Sequence, residues 1–434
     1  MKRIIIILLV VLGFVKFTKS QTIAITEIMY NSDSTLQSKN WVELYNYGTA
    51  SVNISNWILR DETAINFFTV PSATSIAAGS YLVLAQRLDT FMMVYPSVSN
   101  VIGSFEFGLD NTSGSVRIYD ADDNLVKSVN YVDSLPWPNG ADGLGPSLQI
   151  NDETGDANDP TNWFAGCIGG SPGVAYTPCD YSIVVSEINY HSADDFDMKN
   201  WIELWNHTNN PINISNWKFR DNNINNIFTF PSSTTLDAGE RLVICDSLPA
   251  MNSLWPFVSN IIGEFDFGLS NNGDGVRLYD ASDKLQYSVR YDDELPWPAD
   301  ADGLGYTLEL LSEGINPNLA SSWFAGCPHG SPGSEFTLPC GVSIEETGLE
   351  TNITVSPNPF SNSVHFTIHE HIVAGIEEIF IVNLFGQKII TLALANTFTW
   401  DGKDVAGNEV SDGFYLLLVR NKNGTFIQKE IAKQ

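Results

Sequence analysis

The strongest constraint on this chain of 434 residues is an internal duplication. Glu27–Cys167 aligns with Glu187–Cys327 at a constant offset of 160 residues and without a gap, and just under half of the aligned positions are identical. Solenoid repeats have periods of about 20 to 50 residues, which is far shorter than this offset. The sequence therefore predicts two tandem domains, each large enough to bury its own core.

The first twenty residues predict export of the chain. Lys2 and Arg3 precede an apolar run, 4–15, and small residues follow it. This order is typical of a secretory signal peptide over residues 1–20. The run is shorter than the roughly 20 residues that a membrane-spanning helix needs, and no later stretch is comparable. We therefore expect an exported protein without a transmembrane segment.

The chain is strongly acidic, with a formal charge of −29 that becomes −33 when the four basic residues of the signal peptide are lost. Nucleic-acid binding needs clustered lysine and arginine side chains that displace counterions from phosphates, so we expect no nucleic-acid partner. The acidity has two interpretations, solubility outside the cell or binding of Ca²⁺. Because no dense ligand motif is present, we favour solubility and expect no cofactor, with calcium as the alternative.

Four of the five cysteines lie near the ends of the two copies: Cys167, Cys179, Cys327 and Cys340. In an oxidising compartment we expect local pairing, with one disulfide in each copy. The fifth, Cys245, aligns with Ala85 and lies in an apolar run. We interpret it as a small buried hydrophobic residue and not as a nucleophile.

Both copies consist of short runs rich in β-branched and aromatic residues, separated by Gly, Pro, Asn and Asp. About seven such strands in about 150 residues predict an antiparallel β-sandwich, and no sustained helical period is present. Residues 117–129 and 277–289 predict hairpins whose Asp-rich turns satisfy local backbone donors. A calcium loop is the competing interpretation of these turns, but the spacing of an EF-hand is absent.

The composition changes after the second copy. A polar, acidic connector, 341–351, leads to a third unit over residues 352–434 that has nearly balanced charge and alternates like a β-domain. We therefore predict an all-β protein with two tandem sandwiches, copy one (22–179) and copy two (182–340), followed by a small C-terminal sandwich.

The repeated unit resembles the lamin-tail domain, an immunoglobulin-like β-sandwich. The resemblance covers nearly all of residues 22–340. The segments that carry it are TEIMYNS and SEINYHS, WVELYN and WIELWN, ISNWILRD and ISNWKFRD, LPWPNGADGLG and LPWPADADGLG, and NWFAGCIGGSPG with SWFAGCPHGSPG. The resemblance implies the immunoglobulin-like fold and supplies no fixed ligand.

The C-terminal unit resembles the type A sorting domain of the type IX secretion system of Bacteroidota-type bacteria. Its segments are VSPNPFSNSV, IVNLFGQKI, SDGFYLLLV and FIQKEIAKQ, in that order. The resemblance implies export in two steps, with the type IX machinery as partner. It also implies removal of the sorting domain, after which the protein is anchored at the outer membrane surface or released.

Familiar catalytic motifs are missing from the duplicated unit. Copy one contains no histidine, and neither copy contains HExxH or a Walker loop. Carboxylates are the remaining candidates for acid–base chemistry, among them Glu27 and Glu43 with Glu187 and Glu203. We therefore expect no enzyme, with a secreted hydrolase or hydrolase accessory protein as the alternative.

Seven residues are candidates for ligand binding: Trp41, Glu43, Trp137, Trp201, Glu203, Trp205 and Trp297. Trp41 and Glu43 share a strand face that can bind sugar, although Glu43 can instead form a structural ion pair with Arg60. The tryptophans in the two LPWP segments lie beside glycine-rich loops, where an aromatic ring can stand exposed. Trp205 replaces Tyr45. Plain packing is the competing interpretation for all of the tryptophans.

We conclude from the sequence that the protein is a non-catalytic binding, adhesion or structural protein, secreted or held at the cell surface. Its ligand would be an extracellular glycan or protein, the two copies would raise avidity, and the protein would be a monomer. A calcium-stabilised surface spacer is a further alternative. His365, His369 and His371 share a strand face that could hold a metal ion, but we favour a solvated face.

Overall fold

The structure is a computed structural model that describes residues 22–194, 196–256, 258–336, 353–368, 376–383, 388–411, 413–421 and 426–433. Several predicted features lie outside the described residues, namely the signal peptide (1–20), the connector (341–351), Cys340, His369 and His371. In the described part of the chain, no helix is long and apolar enough to cross a membrane.

Copy one contains twelve strands, more than the seven predicted, because several are only two or three residues long. Their bounds are β1 (Ile23–Met29), β2 (Trp41–Asn46), β3 (Val52–Asn53), β4 (Ile58–Arg60), β5 (Phe67–Thr69), β6 (Ser75–Ile76), β7 (Tyr81–Ala85), β8 (Val101–Gly103), β9 (Ser113–Tyr119), β10 (Leu125–Val132), β11 (Pro146–Ile150) and β12 (Trp163–Ile168).

These strands form a sandwich, as predicted. One sheet has the order β12-β11-β1-β2-β7-β8, the other has the order β10-β9-β4-β5, and β3 pairs with β6. All pairs are antiparallel except β7 with β8, which run parallel. The residues of β1 are buried along its whole length. Such a strand is buried on both faces of its sheet. One face packs on the other sheet of the sandwich, and the opposite face packs on a third layer.

The third layer contains helix α1 (Leu88–Val94), which lies between β7 and β8 in the chain. Its residue Phe91 packs with Met29, Trp41, Val83 and Ala85 in a small apolar cluster that is separate from the main core. The sequence analysis missed this helix because seven residues are too few to show a helical period. Short 3₁₀ turns lie at Asn139–Ala141 and Pro160–Asn162.

Copy two repeats this architecture. Its strands are β13 (Ile183–Asn189), β14 (Trp201–Asn206), β15 (Ile212–Asn213), β16 (Lys218–Arg220), β17 (Phe228–Thr229), β18 (Thr235–Leu236), β19 (Arg241–Cys245), β20 (Ile261–Gly263), β21 (Asp274–Tyr279), β22 (Leu285–Tyr291), β23 (Tyr306–Leu310) and β24 (Trp323–Pro328). Helix α2 (Leu248–Leu254) and 3₁₀ turns at Ala299–Ala301 and Ala320–Ser322 complete it. The sheets have the orders β20-β19-β14-β13-β23-β24, β17-β16-β21-β22 and β15-β18.

The predicted hairpins are confirmed as β9–β10 and β21–β22. In the first, Oδ1 of Asp120 accepts hydrogen bonds from the backbone N–H groups of Asp122 and Asn124. Asp123 has a φ of 65°, a conformation that Asp and Asn tolerate better than most residues. The backbone of the turn therefore accounts for the presence of aspartate at these two positions.

The two copies have separate main cores but dock on each other. Asp33 of copy one is buried and accepts a 2.7 Å hydrogen bond from the hydroxyl of Tyr279 in copy two. Nη1 of Arg277 lies 3.5 Å from the same carboxylate. Asn139 donates a 3.0 Å hydrogen bond to Asp292. These contacts give the tandem a defined interface between its domains.

Cys167 and Cys179 form a disulfide that closes the end of copy one beside this interface. Cys327 is also disulfide-bonded. Cys245 is a free thiol, and it is buried in the cluster under helix α2, which agrees with its interpretation as a small hydrophobic residue.

The C-terminal unit is a third sandwich with its own core. Its strands are β25 (Ile353–Ser356), β26 (Val364–Ile368), β27 (Ile376–Asn383), β28 (Lys388–Leu392), β29 (Thr397–Trp400), β30 (Gly413–Asn421) and β31 (Phe426–Lys433). They form one sheet of order β25-β26-β29 and another of order β28-β27-β30-β31. In β26 the alternate residues Val364, Phe366 and Ile368 are buried.

Candidate functional site

The strand face that carries Trp41 and Glu43 is buried, so the prediction of a sugar-binding surface there is wrong. Helix α1 packs on this face, with the ring of Phe91 centred 6.1 Å from that of Trp41. Trp201 and Glu203 of copy two are buried in the same way. Strand parity places these side chains on the outer face of the sheet, but it does not reveal the third layer that covers that face.

The carboxylates of copy one hold a closing loop, which we define as residues 169–174. Glu27 accepts a 2.9 Å hydrogen bond from the backbone N–H of Ser171, and Glu43 accepts one of 2.6 Å from the N–H of Gly173. The hydroxyl of Ser147 also donates to Glu27. These buried acids therefore fix the end of the domain over its sheet.

Gly170 is required for this contact. Its φ is 72°, and a Cβ atom added there would lie 2.1 Å from Oε1 of Glu27. Gly330 has the same relationship to Glu187 in copy two, at 2.5 Å. The first glycine of the GSPG segment in each copy is therefore required because the backbone passes too close to a buried carboxyl group for any larger residue.

Copy two contains the same arrangement with an additional ion pair. Glu187 accepts a 2.9 Å hydrogen bond from the N–H of Ser331, and Glu203 accepts one of 2.6 Å from Gly333. Nη1 of Arg241 lies 2.6 Å from Oε1 of Glu203. In copy one, the position of Arg241 is occupied by Tyr81, which cannot form this ion pair.

Burial changes the protonation of these acids. It raises the pKa of Glu27 to about 7. Burial and the neighbouring carboxyl of Glu27, its partner across the strands, raise the pKa of Glu43 to about 9. Burial also raises the pKa of Glu203, although Arg241 opposes this change. Burial therefore favours the neutral form of these acids.

The predicted ion pair between Glu43 and Arg60 is absent. Arg60 belongs to the other sheet of the sandwich, where it lies 3.0 Å from Asp123 and packs over the ring of Tyr119. The two residues recur in register in both copies because each has its own structural role. Recurrence in a duplication does not show that two residues touch each other.

Trp137 and Trp297 are buried, which agrees with the packing interpretation, and the binding role that depended on their exposure in the LPWP segments is wrong. The ring of Trp137 is centred 6.0 Å from that of Trp163, and the ring of Trp297 lies 6.3 Å from that of Trp323. The proline-flanked turn directs each indole into the end of its sandwich, where burial of its large apolar area stabilises the fold.

Trp205 is the exception among the seven candidates, since it is only partly buried and lines a groove on copy two. The guanidinium of Arg241 lies 4.6 Å from the centre of its ring. Phe324 and Phe336 form another wall, with ring centres 4.7 Å apart and nearly perpendicular planes. Three aromatic rings therefore line one shallow groove, whose volume is about 140 Å³.

Acidic groups complete this groove. Glu309, Glu313 and Glu335 line it beside Ser186 and Arg241. Burial raises the pKa of Glu309 to about 7, and the hydroxyl of Ser331 donates a 2.6 Å hydrogen bond to it. The groove thus combines aromatic faces with hydrogen-bonding groups of both kinds, acceptors on the carboxylates and donors on the guanidinium.

Sequence reasoning identified Trp205 and missed the other members of the groove. The available signal was divergence between the copies, since Arg241, Glu309 and Phe336 replace Tyr81, Gln149 and Tyr176. In copy one, Tyr45 and Tyr81 stack on each other instead, with ring centres 4.4 Å apart. The two copies therefore present different surfaces at this position.

Within the described residues, no group of three or more His, Cys, Asp or Glu side chains is placed to hold a metal ion. His365 is exposed on β26, and its Nδ1 lies 2.7 Å from the hydroxyl of Thr399. The other two histidines of this predicted strand face, His369 and His371, lie outside the described residues.

Comparison with protein families identifies the domains. Residues 17–133 and 180–293 match the Lamin Tail Domain, and together these segments cover more than half of the chain. The chain belongs to the lamin tail domain family. Residues 354–433 match the secretion system C-terminal sorting domain. The two lamin-tail copies and the sorting domain predicted from the sequence are thereby confirmed, and the protein is exported by the type IX system to the cell surface or the medium.

Solved structures resemble the lamin-tail protein only weakly. They include PorZ of Porphyromonas gingivalis, a surface component of the type IX secretion system, with 12% identity over 94% of this chain and 45% of that chain, at a TM-score of 0.18. A second is SGBP-B of Bacteroides ovatus, solved with a mixed-linkage heptasaccharide, with 9% identity over 89% of this chain and 64% of that one, at a TM-score of 0.18. The chain spans less than half the length of PorZ. No curated protein matches the chain.

Proposed function

We propose that this lamin-tail protein is a non-catalytic glycan-binding protein of the cell surface or the medium, and that its second lamin-tail copy holds the binding site. The observation that carries the proposal is the groove in which Trp205, Phe324 and Phe336 lie beside Arg241 and three carboxylates. After export, the sorting domain is removed and the two lamin-tail copies remain as the mature binding unit.

The chemistry of the groove suits a sugar ring. The apolar C–H face of a pyranose stacks on an aromatic side chain, and its hydroxyl groups donate hydrogen bonds to carboxylates such as Glu313 and Glu335. Arg241 supplies donors to ring or hydroxyl oxygens, and its contact with Glu203 fixes the guanidinium in place. A shallow groove of this kind binds a few units of an extended chain along the surface.

The proposed absence of catalysis is supported by the roles of the acids. Glu27, Glu43, Glu187 and Glu203 are buried and accept hydrogen bonds from the closing loops of the two copies. They are therefore committed to structure, and no sugar can approach them without displacement of those loops.

The two copies differ at the position of the groove. We therefore assign one glycan site to the tandem, in place of the two sites with avidity that the duplication suggested. In copy one, the stacked pair Tyr45 and Tyr81 occupies the place of Trp205 and Arg241. Copy one instead supports copy two through the interface at Asp33 and Tyr279.

The test is calorimetric titration of the purified protein with soluble β-glucans, mannans, xylans and pectic oligosaccharides. We expect one class to bind, and we expect Trp205→Ala to reduce its affinity by about two- to tenfold, since aromatic contacts contribute about 0.5–1.5 kcal/mol beyond area burial. Tyr45→Ala, at the equivalent position of copy one, is the matched control and should leave binding unchanged.

Two results would contradict the proposal. One is equal binding by the wild-type protein and Trp205→Ala, which would place the site elsewhere. The other is release of new reducing ends from a bound glycan, provided that Glu309→Gln abolishes it, which would make the groove an active site. Circular dichroism of each variant verifies that the sandwiches remain folded.

A further inference from the structure

The interface between the two lamin-tail copies joins two different surfaces. Copy one contributes a loop end, which we define as Asp33, residues 133–146 and residues 165–168. Copy two contributes a sheet face, the outer side of the sheet that contains β16, β21 and β22. Asp33 contacts Tyr279 and Asn139 contacts Asp292 across this interface. Such a head-to-tail contact leaves one surface of each kind unused.

Each unused surface exposes a leucine whose counterpart in the other copy is buried in the interface. Leu285 on the sheet face of copy two is 5% exposed, whereas the equivalent Leu125 of copy one is 56% exposed. Leu144 at the loop end of copy one is 3% exposed, whereas the equivalent Leu304 of copy two is 63% exposed. At the same loop end of copy two, Leu295 is 82% exposed.

These leucines contact the opposite surface within the tandem. A Cβ atom on Gly145 would lie 2.6 Å from Cδ2 of Leu285, and a Cβ atom on Gly275 would lie 3.2 Å from Cδ2 of Leu144. The loop end and the sheet face are therefore in close contact within the tandem. The two free surfaces retain the leucines, but Ser115 of copy one replaces Gly275, so the leucine of an incoming loop end must shift slightly to make room for its Cβ atom.

We propose that a second copy of this chain docks on the free surfaces, so that the loop end of copy two in one chain covers the sheet face of copy one in the next. The contact is heterologous, and its repetition makes a linear head-to-tail assembly of lamin-tail domains. The assembly extends the arrangement already present within the chain, and it replaces the monomer expected from the sequence.

Several substitutions tune the contact between chains. Arg117 and Tyr119 retain the Arg and Tyr of the sheet face, but Ala193 replaces the Asp33 that they would bind. Val132 is the equivalent of Asp292, and Ala299 is the equivalent of Asn139. The contact between chains is therefore apolar where the contact within the tandem is a hydrogen bond.

Two changes oppose association. Asp300 replaces Gly140, which packs against Asn318, and Asp156 replaces Asn316, which donates to the carbonyl of Ala165. Both add negative charge to an acidic chain. The contact between chains is therefore weaker than the tethered contact within a chain, and it strengthens as salt screens the repulsion.

Cross-linking of the purified full chain tests the orientation directly. In a Cys245→Ala background, Leu125→Cys and Leu304→Cys are prepared as separate proteins, mixed, and treated with a short bismaleimide. We expect cross-linked dimers in the mixture and not in either protein alone. Leu394→Cys, an exposed leucine of the sorting domain, is the matched control partner for Leu125→Cys.

Sedimentation equilibrium measures the strength of the same contact. We expect wild-type association that increases with protein concentration and salt, and Leu125→Glu or Leu304→Glu should weaken it at least about tenfold because a buried leucine becomes a charge. Monomers at every concentration and salt level would overturn the proposal. Dimers of Leu304→Cys alone would also overturn it, because they would show a symmetric contact instead of a head-to-tail one.

Discussion

Glu43 accepts a 2.6 Å hydrogen bond from the backbone N–H of Gly173, a residue that lies 130 positions later in the chain. Glu203 and Gly333 form the same bond in copy two. Each lamin-tail copy is thus closed by a carboxylate of its second strand and a glycine after its last strand. Glu43, which the sequence analysis named as a candidate for ligand binding, instead holds the closing loop at the end of the domain.

Removal of this acid should destabilise copy one. Glu43→Ala leaves the N–H of Gly173 without its acceptor in a buried position, and we expect a loss of about 1–3 kcal/mol in the free energy of unfolding. Glu43→Gln should cost less, because its amide oxygen still accepts the bond. Chemical denaturation measures both, with the exposed Glu62→Ala as control. Equal losses for Ala and Gln would contradict a hydrogen-bonding role.

The stability of copy one should fall as the pH rises. Burial raises the pKa of Glu27 to about 7 and that of Glu43 to about 9, from an ordinary value of 4.5 that also applies to the unfolded chain. Their contribution to folding is therefore complete below pH 4.5 and is lost as the pH rises from there through 7 and 9, because the unfolded acids are then ionised and folding must take up protons.

The measurement is the free energy of unfolding at a series of pH values from acid to mildly alkaline. Glu43→Gln does not titrate, so its stability should fall less steeply over this range than that of the wild-type protein. Subtraction of the two curves cancels the other titrating groups. Parallel curves would show that Glu43 ionises at its ordinary pKa.

The hydrogen bond between Asp33 and Tyr279 should couple the two copies. In a double-mutant cycle of Asp33→Ala and Tyr279→Phe, we expect a coupling of about 0.5–3 kcal/mol, since the residues touch directly. Tyr119→Phe changes the equivalent tyrosine of copy one and is the control. Additive effects of the two substitutions would mean that the bond does not hold the copies together.

Removal of calcium should leave the lamin-tail copies unchanged. In the hairpin turns, Oδ1 of Asp120 and of Asp280 each accepts hydrogen bonds from two backbone N–H groups. The carboxylates are thus already used by the turn. We expect the same melting temperature with calcium and with a chelator. A marked fall in the chelator would favour the calcium-stabilised spacer instead.

The sequence predicted more of the fold than of the candidate site. Alternation in runs such as 125–132 and 285–291 identified the hairpin strands, because a period of two reports which residues share a face. It did not report what covers that face. Trp41 and Glu43 were therefore placed correctly on one side of β2 and incorrectly in contact with solvent.

By itself, the sequence determined that a domain was duplicated, that each copy is a β-sandwich, and that a sorting domain follows, since these depend on periodicity and on local segments. Only the tertiary structure decided which acids are locked under the closing loops, that Trp205 lies with Arg241 and Phe336, and that Leu125 and Leu304 stay exposed while Leu285 and Leu144 are covered. The reason is physical. Equivalent residues of the two copies have similar neighbours in the sequence. Their burial, however, depends on contacts with segments that are far away in the chain.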